Sequence, residues 1–232
     1  MTRQMTARTA AAAPRARVER FGPWLVVRFP SAHAVASWAI AGGGLGEASA
    51  VAWRQVSEHE LRPPVDPARW LRGQLREVGL TGAVGLLTSR DLDAWVEAHA
   101  EAGRVHAHCV ATVGLGNALR VGDPPGPFAR IGTINVLCSV DKPLRTEALV
   151  EAIAIATEAK TAAVLEQRVA SRRTGLRATG TGTDCVVIAS PRGRRCAPYA
   201  GKHTEVGAAI GAAVRDAVDQ GARAWKARWG QS

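Results

Sequence analysis

Between Arg177 and Ser190 the chain reads R-A-T-G-T-G-T-D-C-V-V-I-A-S, alternating hydroxyls and glycines that end in one carboxylate. In an extended backbone Thr179, Thr181 and Thr183 share one side, and Gly180 and Gly182 take the other. Glycine without a Cβ lets a ligand or a second backbone approach closely, while three hydroxyls line the opposite side. The same composition also serves a glycine-relaxed entry into a strand. Asp184 follows directly, before an apolar run. The spacing matches neither the dinucleotide-binding glycine pattern nor a phosphate-binding loop.

A second reactive group lies in T-E-A-K-T, residues 157–161. At about 100° per residue, Lys160 is in helical phase with Leu149, Ile153, Ala156 and Ala163. An amine that interrupts an apolar stripe must snorkel, pair or lose its proton. Glu158 is two residues away, about 200° round the helix, so the two cannot face one pocket. Glu158 is either a structural acid or a catalytic one. Further on, Y-A-G-K-H-T-E leads into the last helical pattern, with Lys202 and His203 at its start. His203 is in phase with Val206, Ile210 and Val214, which predicts an inward imidazole. A helix N-terminus biases that ring to its neutral form, able to act as a base.

In G-T-I-N, Thr133 and Asn135 share one strand face, and Asn117 ends a similar G-L-G-N. Asn amides serve as oxyanion donors, and equally well as turn or sheet-edge groups. His106 and His108 form H-x-H, which on a strand aims both rings to one side. No third ligand stands in register, so no metal is implied. Cys109, Cys138, Cys185 and Cys196 form no C-x-x-C pair, and reduced thiols are expected.

These residues need a scaffold. Strands are predicted over 24–29, 35–40, 50–56, 82–87, 105–115 and 132–140, with a further strand after the 177–184 loop. Helices are predicted over 67–78, 91–102, 144–169 and 203–228. Strict β-α alternation is absent. The reading is an α/β or α+β fold, one mixed β-sheet with helices packed on it, in a single domain over 21–232. Residues 1–20 read as a disordered basic tail.

The formal charge is +10. The excess lies at the two ends, because residues 21–189 carry 17 basic and 16 acidic side chains. No basic face with interleaved aromatics appears, so nucleic acid is not an expected partner. No run has the ~18 apolar residues of a membrane span. A cytoplasmic protein is expected, and a homo-oligomer is compatible with the sequence.

Taken in order, GTIN at 132–135, TEAKT at 157–161, ATGTGTD at 178–184 and YAGKHTEVG at 199–207 resemble the adenosylcobinamide amidohydrolase family. The resemblance covers residues 103–218 well and 21–102 weakly. Glycines 42–44 resemble a Gly-Gly element that Asn often precedes, and Ala41 stands there instead. The resemblance implies hydrolysis of the amide joining the corrin side chain to the aminopropanol arm of adenosylcobinamide. The products would be adenosylcobyric acid and 1-amino-2-propanol, in cobalamin salvage and remodelling. It leaves a protein cofactor open and implies no metal firmly, and the corrinoid cobalt belongs to the substrate. A non-enzymatic corrinoid-binding protein, or an amidohydrolase of another small molecule, are the alternatives.

For amide hydrolysis the expected catalytic residues are His203, Lys160, Asp184 and Glu158. Water would be activated by His203 or Asp184, with Lys160 or Asn135 on the oxyanion. Asn117, Thr133, Asn135, Gly180, Thr181, Gly182, Thr183 and Lys202 are expected to contact substrate. A covalent route through Thr181, Thr183 or Cys185 is the rival, and a bound metal is the third possibility.

Overall fold

The protein is described here by a computed structural model covering residues 16–57, 59–127 and 132–229. The strands are β1 (Arg17–Phe21), β2 (Trp24–Ser37), β3 (Gly44–Gln55), β4 (Val84–Thr88), β5 (Val96–Ala102), β6 (Val105–Val113), β7 (Ala118–Leu119), β8 (Ile134–Val140), β9 (Gly180–Thr181) and β10 (Cys185–Pro191). The helices are α1 (Pro67–Glu77), α2 (Thr146–Glu166) and α3 (Glu205–Trp229).

Eight strands form one mixed sheet in the order β4-β3-β2-β10-β8-β6-β5, with β1 added beside β2. The β3–β4 and β10–β8 pairs are parallel and the others antiparallel. One mixed sheet with helices packed on it is the fold class that the sequence predicts.

Alternation along the strands divides the core. Val136, Cys138, Val186 and Ile188 join Ala152, Ala156, Ile210 and Val214 under α2 and α3. Their neighbours along the same strands, Leu137 and Val187, join Leu25, Val27 and Trp53 in a second cluster. A third lies under α1, where Leu71 and Leu75 meet Trp24, Val26 and Ala52. Asp66 caps α1 by accepting from the backbone N–H groups of Ala68 and Arg69, at 2.9 and 3.2 Å. Pro67 at the first helical position has no N–H to lose, so the start is sharp.

Three differences from the sequence reading have physical causes. The 24–29 and 35–40 segments are one long strand, β2, whose register shifts between Arg28 and His33. Pro30 lies in that shift, where a missing N–H costs no ladder bond. Residues 91–102 are not a helix but a short 3-10 turn, Leu92–Ala94, followed by β5. Ala and Glu favour helix intrinsically, yet β5 pairs with β6 along its whole length and buries Ala98. Finally, the segment read as a tail contains β1, which pairs with Trp24–Arg28. The rest of that segment, 1–15, lies outside the described residues.

Candidate functional site

The amino ends of the adjacent parallel strands β8 and β10 build the floor of a cavity of about 730 Å³. Thr133, Asn135, Thr183, Asp184 and Cys185 line it, with Asn117 from the turn before β7. Trp38, Ile40, Leu61, Pro67, Leu86 and Leu87 supply apolar walls. The backbone register sets Asn135 beside Cys185, so floor groups of both strands fall in one layer.

Beneath the floor, the Lys160 ammonium pairs with the Asp184 carboxylate. Their side chains keep only 8% and 9% of their exposure. The carboxylate also accepts from the backbone N–H of Ile134 at 3.1 Å, that of Thr181 at 3.1 Å, and the Thr181 hydroxyl. One side chain thus ties β8, β9 and α2 together at the cavity floor. Gly180 is required there, because a Cβ at that position would overlap Asp184 and come within 2.6 Å of Lys160 Nζ. Gly132 has a similar duty, since its Cβ would meet the backbone nitrogens of Asn117 and Gly116 at 2.6 and 2.8 Å.

The floor hydroxyls are engaged. Thr133 donates to the Thr183 carbonyl at 2.8 Å, and Thr183 to the Gly132 carbonyl at 3.1 Å. The Asn135 amide donates to the Leu87 carbonyl at 2.7 Å. Asn117 is buried, yet its amide makes no hydrogen bond among the described residues. Cys185 lies against Ser37 Oγ, 3.7 Å away, and burial pushes its thiol up to about 11. A thiol protonated at neutral pH is a poor nucleophile.

Several residues singled out from sequence lie elsewhere. His203 is exposed and lines no part of this cavity. Thr204 caps α3, accepting from the Gly207 N–H at 2.9 Å, so His203 stands before the helix and its phase does not apply. Glu158 pairs with Lys202 on the surface, both side chains more than half exposed. Lys160 is inward, as the phase predicts, but sits behind Asp184 rather than at the cavity wall. Gly180 and Thr181 support that pair, and Gly182 is exposed outside the lining. Sequence reasoning identified Lys160 and Asp184 separately and missed that they pair. It also missed the rim residues Trp38, Ile40 and Leu61, whose only signal was their place beside the Gly42–Gly44 and Pro63–Pro64 breaks.

The rim residues 56–57 and 59–62 are anchored from inside. The Arg54 guanidinium lies over the Trp24 and Trp70 rings, at 5.8 and 5.2 Å, and pairs with Glu60 at 2.7 Å. The Ser57 N–H, donating to Glu60 at 2.8 Å, holds that carboxyl below its usual range, and Arg54 adds to this. A depressed carboxyl pKa stabilises the fold above the unfolded value and is lost as pH falls through the folded one. The melting temperature of Glu60→Gln should therefore lie below that of the natural chain at pH 7. The gap should close as pH drops below the ordinary glutamate value of about 4.3. A gap that stays constant across that window would remove the anchor from the account.

Concave, apolar-walled and floored by a few convergent polar groups, the cavity has the form of a small-molecule site. Residues 9–229 match the family described as adenosylcobinamide amidohydrolase. A protein of Methanosarcina mazei bearing that description is 30% identical over 168 residues, 68% of this chain and 76% of its own. Another, from Halobacterium salinarum, is 39% identical over 115 residues, 47% of this chain and 46% of its own. An uncharacterised protein of Methanocaldococcus jannaschii, MJ1613, is 39% identical over 93 residues, 40% of this chain and 36% of its own. The chain thus spans less than half the length of the last two relatives. The chain belongs to the adenosylcobinamide amidohydrolase family.

Among solved structures, the PH0078 protein of Pyrococcus horikoshii OT3 superposes with a TM-score of 0.43 at 11% identity, covering 85% of this chain and 76% of the other. A beta-aminopeptidase of Burkholderia sp. gives 0.42 at 14% identity, covering 90% and 84%. Likeness of that order assigns neither fold family nor activity. No helix of the described residues is long and apolar enough to cross a membrane.

Proposed function

We propose that this chain hydrolyses the amide between the corrin side chain and the aminopropanol arm of adenosylcobinamide. The reading rests on family membership, and one observation of the site carries it further. Asp184 is the only acidic residue among the described residues that line the cavity, and it shares that lining with Asn117, Asn135, Thr133 and Thr183. Water adds to the amide carbon and passes its proton to Asp184. The Asn117 amide donates to the oxygen that becomes negative. The carbon–nitrogen bond then breaks, and the amine leaves with the proton held by Asp184. Adenosylcobyric acid and 1-amino-2-propanol result, which would place the protein in corrinoid salvage. Lys160 acts through Asp184 and is a positioning residue.

The rim suits a large, flat substrate. Trp38 remains 48% exposed and Ile40 46%, an apolar ledge beside the cavity mouth. The Trp38 indole is fixed by its N–H, which donates to the Asp184 carbonyl at 2.7 Å. A macrocycle laid on that ledge would direct one side chain to the floor. Trp38→Ala should raise KM about tenfold or more through lost ring contact, with kcat changed much less. An unchanged KM would remove the ledge from substrate binding.

Product analysis after incubation with adenosylcobinamide tests the main reading. Equimolar adenosylcobyric acid and 1-amino-2-propanol are expected. A corrinoid spectral shift without product would instead favour a binding protein, and neither shift nor product would favour a different small-molecule amide.

A further inference from the structure

Strands β5 and β6 carry a second group of ionisable side chains, away from the cavity. Ala98 and Cys109 of these strands belong to the core cluster under α3. Glu97 and His99, one residue to either side of Ala98, therefore point to the other face of the sheet. The β5–β6 register places His108 directly opposite His99, on that same face. The two imidazoles stack with centroids 4.6 Å apart and planes 7° from parallel. Glu97 Oε1 lies 2.6 Å from His108 Nε2 and 3.5 Å from His99 Nε2. One ligand atom from each of the three falls within 4.8 Å of the others.

The 2.6 Å approach is within hydrogen-bond distance but is misaligned for one. His108 Nε2 is buried and has no hydrogen-bond partner. The carboxylate oxygen sits close to the ring nitrogen but off the in-plane axis along which that nitrogen bonds. A buried polar atom left in that state is costly, and a cation held between the donors would remove the cost.

We propose that Glu97, His99 and His108 form a binding site for one divalent transition-metal ion of the zinc class. Both Nε2 atoms and one Glu97 oxygen would be its ligands, with water in the fourth position. Two imidazoles and a carboxylate are a donor set that zinc accepts. Bonds of about 2.0–2.1 Å in a tetrahedron require donor atoms about 3.3 Å apart. The 3.5 Å contact already meets that spacing, and the 2.6 Å contact must open by less than about 1 Å. The side chains of Glu97 and His99, 35% and 63% exposed, have room to do so, and the exposed His99 ring must also rotate out of its stack on His108 so that both Nε2 lone pairs converge on the ion. His106, the other member of H-x-H, is 3.5 Å from Glu101 and stands outside the group.

The site is separate from the proposed chemistry. His108 lies four residues along β6 from Thr112, which pairs with Asn135 of the cavity floor. At about 3.3 Å per residue that is roughly 13 Å, too far for the ion to touch an amide in the cavity. Its place is structural. β5 is the last strand of the sheet, and the ion would clip it to β6.

Zinc titration of the chelator-treated full chain by calorimetry tests the proposal, with cobalt(II) absorption as a second readout. One equivalent should bind, cobalt should show the strong visible bands of a four-coordinate ion, and the melting temperature should rise with zinc. His99→Ala and His108→Ala should each weaken binding by at least ~10–100-fold, the range that even an outer-shell change produces. His106→Ala should bind as the natural chain does. His99 is exposed, so its substitution leaves the core intact. Zinc affinity in His99→Ala equal to that of the natural chain would overturn the site, as would no stoichiometric binding by the natural chain.

Discussion

Asp184→Ala is expected to lower the unfolding free energy by about 3–5 kcal/mol, the usual result of removing one partner from a buried ion pair. The loss has an identifiable origin. Lys160 would be left with its side chain only 8% exposed and its acidic partner gone. The backbone N–H groups of Ile134 and Thr181 would lose their shared acceptor at the same time. Adding Lys160→Met to Asp184→Ala removes the stranded ammonium, so the double variant should recover much of the lost stability. Urea unfolding with an unchanged m-value measures both. Strictly additive losses would show that the pair does not act as a unit. Turnover should not return with stability, because the double variant still lacks the only acidic residue among the described residues that line the cavity. Recovery of both together would reduce Asp184 to a structural role.

Asn117→Ala should behave in the opposite way. Its residue is buried at the cavity wall and its amide makes no hydrogen bond among the described residues, so truncation breaks none among them. The unfolding free energy should change little. If the amide donates to the developing oxyanion, kcat should fall about 100- to 1000-fold with KM nearly constant. A KM increase with kcat unchanged would move Asn117 from transition-state to ground-state binding. Thr133 is a useful control on the same floor, since its hydroxyl is already committed to the Thr183 carbonyl.

The long periodic elements were legible in the sequence, and pairings between distant segments were not. Lys160 shows as inward because an apolar stripe of about four turns, Leu149 to Ala163, runs through it. Nothing in that stripe says that Asp184, 24 residues on, will meet it, since the meeting depends on β10 lying beside β8 under α2. His203 fails for a local reason. Helical phase was carried one residue past Thr204, the residue that starts the helix. The most instructive error concerns 91–102. Read as a helix, Glu97 and His99 fall about 200° apart and cannot share a ligand. Paired as β5, they share a face with His108, so the neighbouring strand brings two donors to the single one that H-x-H contributes. Ala and Glu gave that segment its helical look, while the partner strand decided its state.

The cavity opens at the amino ends of the parallel pair β8 and β10. The helix that links such a pair starts where the first strand finishes and runs back towards the beginning of the second. The first turn of α2, with its outward N–H groups, therefore belongs to the opposite edge of the sheet. This arrangement forgoes the ready-made positive field that a helix start lends to many anion-handling sites. Lys160, in the last third of α2, is a discrete charge placed where the backbone of that helix supplies the wrong sign. A lineage that lost this lysine would have no help from the peptide dipoles, and would have to find another cation from a different element.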